Sequence, residues 1–250
     1  VLSFRHKPAQ PLPSVCANTS RMSRLRAAKM HEVPEQGHGP RCVWNPQVWW
    51  GDADSVFRLK HWQRQRERDG LPPITHVCNT AANAVPLSSD MRLPCVEYLD
   101  LQMLDVPGIT PRGYFWPRTE RDLRRALAFV DEAVRLGGVV LVNCWAGQNR
   151  SGAVLLAWLL THRDPVSGQT LGFTADTATR HLRAIEPCAL SNGSLRLCVL
   201  EMLGLLTPQE VELGKEGVCT PKREMMRDPM FLNSHRDWNC CATCCGIRQH

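Results

Sequence analysis

The sequence predicts an α/β fold in which a central, mostly parallel sheet is flanked by helices. Three observations carry that reading. Between residues 46 and 206, short compact apolar runs alternate with longer runs of helical period. Val139–Val142 is four apolar residues in succession, the look of a strand covered on both faces. The stretch after it, Ser151–His162, is apolar almost all round and belongs inside a layered domain.

The elements follow in order. Val48–Gly51 is a short strand. Asp54–Arg68 reads as one helix, with Val56, Leu59 and Trp62 three apart. Gly70–Pro73 breaks it. Ile74–Asn79 is a compact β-type run, and Cys95–Leu101 is another, with Val96, Tyr98 and Leu101 apolar. Thr119–Leu136 is the strongest helix: Thr119 is its expected cap, Asp122 supplies a near capping box, and Leu123, Ala126, Leu127, Val130 and Val134 form a stripe. Gly137–Gly138 stops it. Thr174–Ile185 is expected as a helix capped by Thr174, and Gly193–Leu206 as the last one.

Composition sets the outer limits. The 250 residues are 43% hydrophobic, enough for a substantial core. No run approaches the roughly 20 apolar residues of a membrane span. The sequence opens on Val1 rather than Met, so it is read as a fragment or a processed product. Twelve Cys are too few for a disulfide scaffold, which favours a reducing intracellular compartment, cytoplasmic or nuclear. The net charge of +6 is uneven: residues 1–45 carry +5, residues 46–206 carry +1 and residues 207–250 none. Residues 1–45 are read as a disordered basic leader, residues 46–206 as the folded domain, and residues 207–250 as a disordered tail. The leader's Arg21–Lys29 run and the tail's Cys240–Cys245 cluster are the two segments that could give weak membrane association. Cys241 and Cys244, with His235 or His250, could also form part of a zinc site, although an unstructured tail is the preferred reading and no metal is assigned. The near-neutral domain argues against a polyanionic partner such as nucleic acid.

One segment carries chemistry. The buried strand runs into Asn143-Cys-Trp-Ala-Gly-Gln-Asn-Arg-Ser-Gly152 and then directly into the apolar helix. Among twelve Cys, only Cys144 is followed six positions later by an Arg, Arg150. A short loop with a central Gly can turn successive backbone N–H groups into one concavity. The helix that follows aims its N-terminus at the same place, and an arginine adds a fork that matches two phosphate oxygens. Such a field favours the thiolate of a cysteine lying in it. The combination suits phosphoryl transfer to sulfur.

At these residues the chain resembles the dual-specificity branch of the cysteine-dependent protein tyrosine phosphatases, whose signature is His-Cys-x5-Arg-Ser/Thr. The resemblance extends to Trp50-Gly-Asp-Ala-Asp54, Ile74-Thr-His-Val-Cys-Asn79, Tyr98-Leu-Asp-Leu-Gln-Met-Leu-Asp105 and the turn from Pro187 to Asn192-Gly193. It covers roughly residues 46–206 and implies the protein tyrosine phosphatase-like fold. It implies a protein phosphatase that acts on phosphotyrosine and on phosphoserine or phosphothreonine without a cofactor, with a phosphorylated protein as partner. Cys144 would attack phosphorus, Arg150 would bind the equatorial oxygens, Asp105 would serve as general acid and then base, and Ser151 would stabilise the departing thiolate. The backbone of Trp145, Ala146, Gly147, Gln148, Asn149 and Arg150 would cradle the phosphate, with Asn143 and Asn192 supporting the loop. Asp100 ranks second to Asp105 as the acid.

Two departures from the family pattern stand out. Asn143 replaces the family's histidine before the nucleophile; Asn can hydrogen-bond but cannot become a cation, so slower turnover is expected. Trp145 is bulky and is expected to pack the loop onto the core, with a pocket wall as the other role. Val106–Pro117, with Arg112, Tyr114 and Trp116, is either an active-site rim or a structural loop. Two other readings stay open: an adaptor that holds phosphorylated partners without turnover, and the same chemistry on a phosphoinositide, an RNA 5′-phosphate or a phosphoglucan.

Overall fold

The computed structural model describes residues 39–106, 109, 111–164 and 167–210. Within them the chain forms five strands and six helices: β1 (Arg41–Trp44), β2 (Val48–Gly51), α1 (Ala53–Phe57), α2 (Leu59–Arg68), β3 (His76–Asn79), β4 (Glu97–Asp100), α3 (Trp116–Arg135), β5 (Val140–Asn143), α4 (Arg150–Thr161), α5 (Ala175–Ile185) and α6 (Gly193–Met202). The strands make one sheet in the order β1-β2-β5-β3-β4. β1 runs antiparallel to β2, and every other pairing is parallel. The expected mixed, mostly parallel sheet flanked by helices is therefore present.

The centre of the sheet explains the apolar run. β5 lies between β2 and β3, so both of its edges are paired, and all four of its residues are buried. Val140 and Val142 join the larger core with Trp50, Val130, Val154, Trp158, Leu182 and Val199. Leu141 points the other way, into a smaller cluster with Val56, Leu59, Ile74 and Val77. This is the period-two alternation of a strand, with apolar residues on both faces because both are buried. α4 packs against α3, α5 and α6, which is why it is apolar all round.

The parallel register brings the chemistry to one edge. Gly51 of β2 and Asn79 of β3 both pair with Asn143, the last residue of β5, and Asn79 pairs with Asp100 of β4. Four strands thus end in line, and the loops that leave them gather at the carboxyl edge of the sheet, where open α/β folds bind ligands.

Several expected boundaries shift. β1 lies inside the segment read as a disordered leader, so ordered structure begins before residue 46. Its four residues are too short for the periodicity test; pairing with β2 and the Arg41–Glu186 ion pair at 2.5 Å hold it. The single helix expected over Asp54–Arg68 is two helices, because Arg58 leaves the helical region at φ −103°, ψ 21°. The true start is Asp52, whose carboxylate accepts from Ser55 N at 2.9 Å in a capping box. α3 begins at Trp116 rather than after Thr119, because Pro117 fits the first turn, where its missing N–H is not needed. Thr119 is not a cap; its hydroxyl donates back to Phe115 O at 3.0 Å. Asp122, expected in a capping box, lies buried within α3 beside Arg118 and Arg121. The last helix stops at Met202, since Gly204 takes φ +68° and turns the chain back, with Leu205 N donating to Leu200 O at 2.8 Å. Thr174 caps α5 as expected, in a capping box with Thr177. Arg21–Lys29, the Cys240–Cys245 cluster, His235 and His250 lie outside the described residues.

Candidate active site

The site is built on the turn from β5 into α4. Cys144 follows the last residue of β5, and Arg150 opens α4, so strand becomes helix within six residues. Gly147 makes this possible. It sits at φ +65°, and a β-carbon there would lie 3.0 Å from Gly51 O and 3.2 Å from Asp52 N. The loop is thus pressed onto the backbone that leaves β2. Ala53 N donates to Trp145 O at 3.0 Å, and Leu190 N to Gln148 O at 3.4 Å, fixing its two shoulders.

Cys144 is 1% exposed at the floor of this loop. Ser151 Oγ donates to its Sγ at 3.1 Å, and Trp50 Nε1 donates to the same Oγ at 2.8 Å. With the indole proton occupying its acceptor side, the serine hydroxyl keeps its own proton directed at sulfur. Burial, with Asp100 nearby as a lesser cause, pushes Cys78 up to about 12. Burial, with Glu201 as a lesser cause, does the same for Cys198. Both are held as neutral thiols within the core.

Arg150 is 3% exposed, and its Nε and one terminal nitrogen are buried without a hydrogen-bond partner. Buried guanidinium donors without an acceptor are costly. Here they belong to the first residue of α4, at the helix N-terminus that follows the Cys144 loop, where the helix dipole also favours an anion. The nearest acid is Asp105, with Oδ2 3.6 Å from Arg150 Nε. Asp105 Oδ1 accepts from Asn192 Nδ2 at 2.9 Å. Asn192 also caps α6 by accepting from Ser194 N at 3.2 Å. The structure therefore brings together Cys144, Arg150, Ser151, Asp105 and Asn192. Asp100 is turned elsewhere: it pairs with Arg92 and accepts from Asn79 Nδ2 at 3.2 Å.

Asn143 is wholly buried under the loop. Its backbone carbonyl accepts from Thr80 N at 3.0 Å and Thr80 Oγ1 at 2.7 Å. Its Nδ2 reaches Asn79 Oδ1 at 3.4 Å, while its Oδ1 has no partner. Trp145 corrects an expectation. It is 43% exposed and does not pack the loop onto the core. Cys144 takes the inward direction at the end of β5, so the next side chain points out. Of the segment after the acid, Tyr114 is 81% exposed and Arg112 pairs with Glu201 at 2.5 Å. Among the described residues, no hydrogen bond or ion pair joins Arg112, Tyr114 or Trp116 to the loop.

Sequence reasoning missed Trp50, Thr80 and Asn79 as supports of the site. The signal was present for Trp50 and Asn79: each lies at the end of a parallel strand beside β5, where register alone places it near the loop. Among the described residues, no group of three or more His, Cys, Asp or Glu could hold a metal ion, and no helix is long and apolar enough to cross a membrane.

The chain is 31% identical over 100 residues to the phosphatidylglycerophosphate phosphatase PTPMT2 of Arabidopsis thaliana, covering 40% of each chain. It is 27% identical over 120 residues to dual specificity protein phosphatase 1 of the same plant, covering 48% of this chain and 50% of that one. The matched stretches thus span half or less of these relatives. Among solved structures, DUSP15 aligns at TM-score 0.47 and 21% identity, over 72% of this chain and 97% of that one. A mouse putative dual specificity phosphatase complexed with zinc tungstate aligns at 0.48 and 24%, over 74% and 98%. The model of the dual specificity phosphatase catalytic domain matches residues 71–198, just over half the chain, from before β3 into α6 and including the loop. With that match, the chain belongs to the dual specificity phosphatases of the protein tyrosine phosphatase superfamily.

Proposed function

We propose that this chain hydrolyses phosphate monoesters on proteins, phosphotyrosine and phosphoserine or phosphothreonine alike, through a cysteinyl-phosphate on Cys144. The observation that carries the reading is the buried guanidinium of Arg150, whose Nε and one terminal nitrogen have no hydrogen-bond acceptor, on the same loop as a cysteine whose sulfur accepts from Ser151. An anion with several acceptor oxygens satisfies those donors, and a phosphate monoester supplies three.

In the first step the Cys144 thiolate attacks phosphorus, the S–P bond forms and the bond to the leaving oxygen breaks. Asp105 gives its proton to that oxygen. Arg150 and the N–H groups of residues 145–150 take up the charge on the equatorial oxygens. In the second step water attacks phosphorus, Asp105 takes its proton, and the S–P bond breaks to release phosphate and the thiolate. Ser151 meets the returning charge on sulfur with its hydroxyl proton. Trp145, Ala146, Gly147, Gln148 and Asn149 carry no charge, so the loop offers a second phosphate no ion pair. Together with the near-neutral domain, this favours a singly phosphorylated protein over a phosphoinositide or nucleic acid.

The test is hydrolysis of an aryl phosphate by wild type, Cys144→Ser and Asp105→Asn, followed by a panel of phosphopeptides and phospholipids. Turnover that Cys144→Ser abolishes, with phosphopeptides preferred, supports the reading. Phosphopeptide binding without turnover would make the chain an adaptor. Preference for phosphatidylglycerophosphate, the substrate in the name of one relative, would overturn the protein assignment.

A further inference from the structure

Asn149 occupies the cap position of α4, yet its side chain makes no cap bond to that helix. Its Oδ1 is directed across the site instead, where it accepts from Ser191 Oγ at 3.0 Å and from Asn192 N at 3.0 Å. The second of these residues holds Asp105, with Asn192 Nδ2 donating to Asp105 Oδ1 at 2.9 Å. The chain Asn149–Asn192–Asp105 joins three segments far apart in sequence: the phosphate loop, the turn before α6 and the segment carrying the acid. Asn149 and Asn192 are both buried, so these bonds face little competition from water.

A residue such as Asn at a helix start ordinarily satisfies the first turn's own N–H groups. Here that bond is forgone, which leaves the N-terminus of α4 open toward an anion and uses the carboxamide as a clamp. The clamp has a geometric consequence. Asp105 Oδ1 is fixed by Asn192, so Oδ2, at 3.6 Å from Arg150 Nε, is the oxygen left facing the anion site. That is the oxygen required to carry a proton to a leaving group.

We infer that Asn149 is a positioning residue for proton transfer, acting through Asn192 on Asp105. This rests on the phosphatase reading above. It makes a prediction that a purely structural role does not. A poor leaving group needs the acid's proton, and a good one does not, so damage to the clamp must appear selectively with poor leaving groups.

The experiment measures kcat/KM, which reports the step that transfers phosphoryl to sulfur, on phenyl phosphate and on a nitrophenyl phosphate with a far more acidic leaving group. Asn149→Ala is expected to lose about tenfold or more on phenyl phosphate and under about threefold on the nitrophenyl ester, a fraction of the whole general-acid effect. Asp105→Asn should show the same selectivity more strongly, and the double variant should add little to Asp105→Asn alone. Ser191→Ala removes one of the two clamp donors and should show a weaker version of the pattern, which keeps the test open if Asn149→Ala folds poorly. Equal losses on both esters, no loss on either, or full additivity with Asp105→Asn would overturn the inference. A wild type inactive on both esters would overturn the phosphatase reading instead, and an unselective Asp105→Asn would overturn the acid assignment.

Discussion

Ser151→Ala separates two effects that meet on one oxygen. Ser151 Oγ donates to Cys144 Sγ at 3.1 Å and accepts from Trp50 Nε1 at 2.8 Å, with all three residues buried. Removing the hydroxyl takes a hydrogen bond away from a sulfur that becomes anionic when the cysteinyl-phosphate breaks down. Bonds to charged groups contribute about 1.5–3 kcal/mol, so breakdown should slow by about ten- to a hundredfold. Formation of the intermediate should change less, because the attacking thiolate starts with the charge that breakdown must create. The assay is stopped-flow release of nitrophenol. Ser151→Ala should show a burst approaching one equivalent per enzyme followed by a slow steady state, with a smaller burst in wild type. The same change leaves the Trp50 indole N–H buried without an acceptor, which costs about 1–3 kcal/mol of stability. In a Trp50→Phe background that cost vanishes, while the slow breakdown remains. A Ser151→Ala enzyme without a burst, or one whose stability loss is the same in both backgrounds, would refute the reasoning.

Other expectations follow from the same coordinates. Gly147→Ala forces a β-carbon to 3.0 Å from the Gly51 carbonyl at φ +65°, so it should lower stability by about 1–3 kcal/mol and nearly abolish turnover, checked by urea unfolding and nitrophenyl phosphate hydrolysis. Cys78 and Cys198, pushed up to about 12 by burial, keep their protons when folded and lose them when unfolded at alkaline pH. Stability should therefore fall as pH rises above the ordinary thiol range, by about 1 kcal/mol per pH unit for each thiol, and the Cys78→Ala/Cys198→Ala protein should show a shallower alkaline slope in urea titrations at pH 8 to about 11. Asn143→Ala deletes the bond to Asn79 but leaves the backbone grip of Thr80, so it should cost less activity than Thr80→Val, as measured by kcat/KM on one aryl phosphate.

The sequence showed most clearly what local periodicity can encode. β5 and α4 were legible because burial on all sides leaves an unbroken apolar run, and the loop between them because Cys144 and Arg150 share one segment. Asp105 was reachable only through resemblance, since no local pattern distinguishes it from Asp100. What separates them is tertiary: Asn192, from 87 residues further on, holds Asp105, while Arg92 draws Asp100 away. β1 was missed because four residues paired at a sheet edge carry little period. The break at Arg58 was missed because one residue's ψ divides a helix without altering the spacing of its apolar side chains. Trp145 was misread because a large aromatic suggests a core, whereas its direction is fixed by the cysteine before it. The clamp of Asn149 was invisible for the same kind of reason, since its partners lie 42 and 43 residues away.

In the proposed reaction Cys144 carries the phosphoryl group between the two steps. The most direct test is to mix Ser151→Ala, in which breakdown is slow, with an aryl phosphate, quench in acid within the burst and sequence the peptides by mass spectrometry. The expected result is the added mass of one phosphoryl group on the peptide containing Cys144, absent from Cys144→Ser. Turnover with no modification there, or a phosphoryl group on another residue, would contradict it.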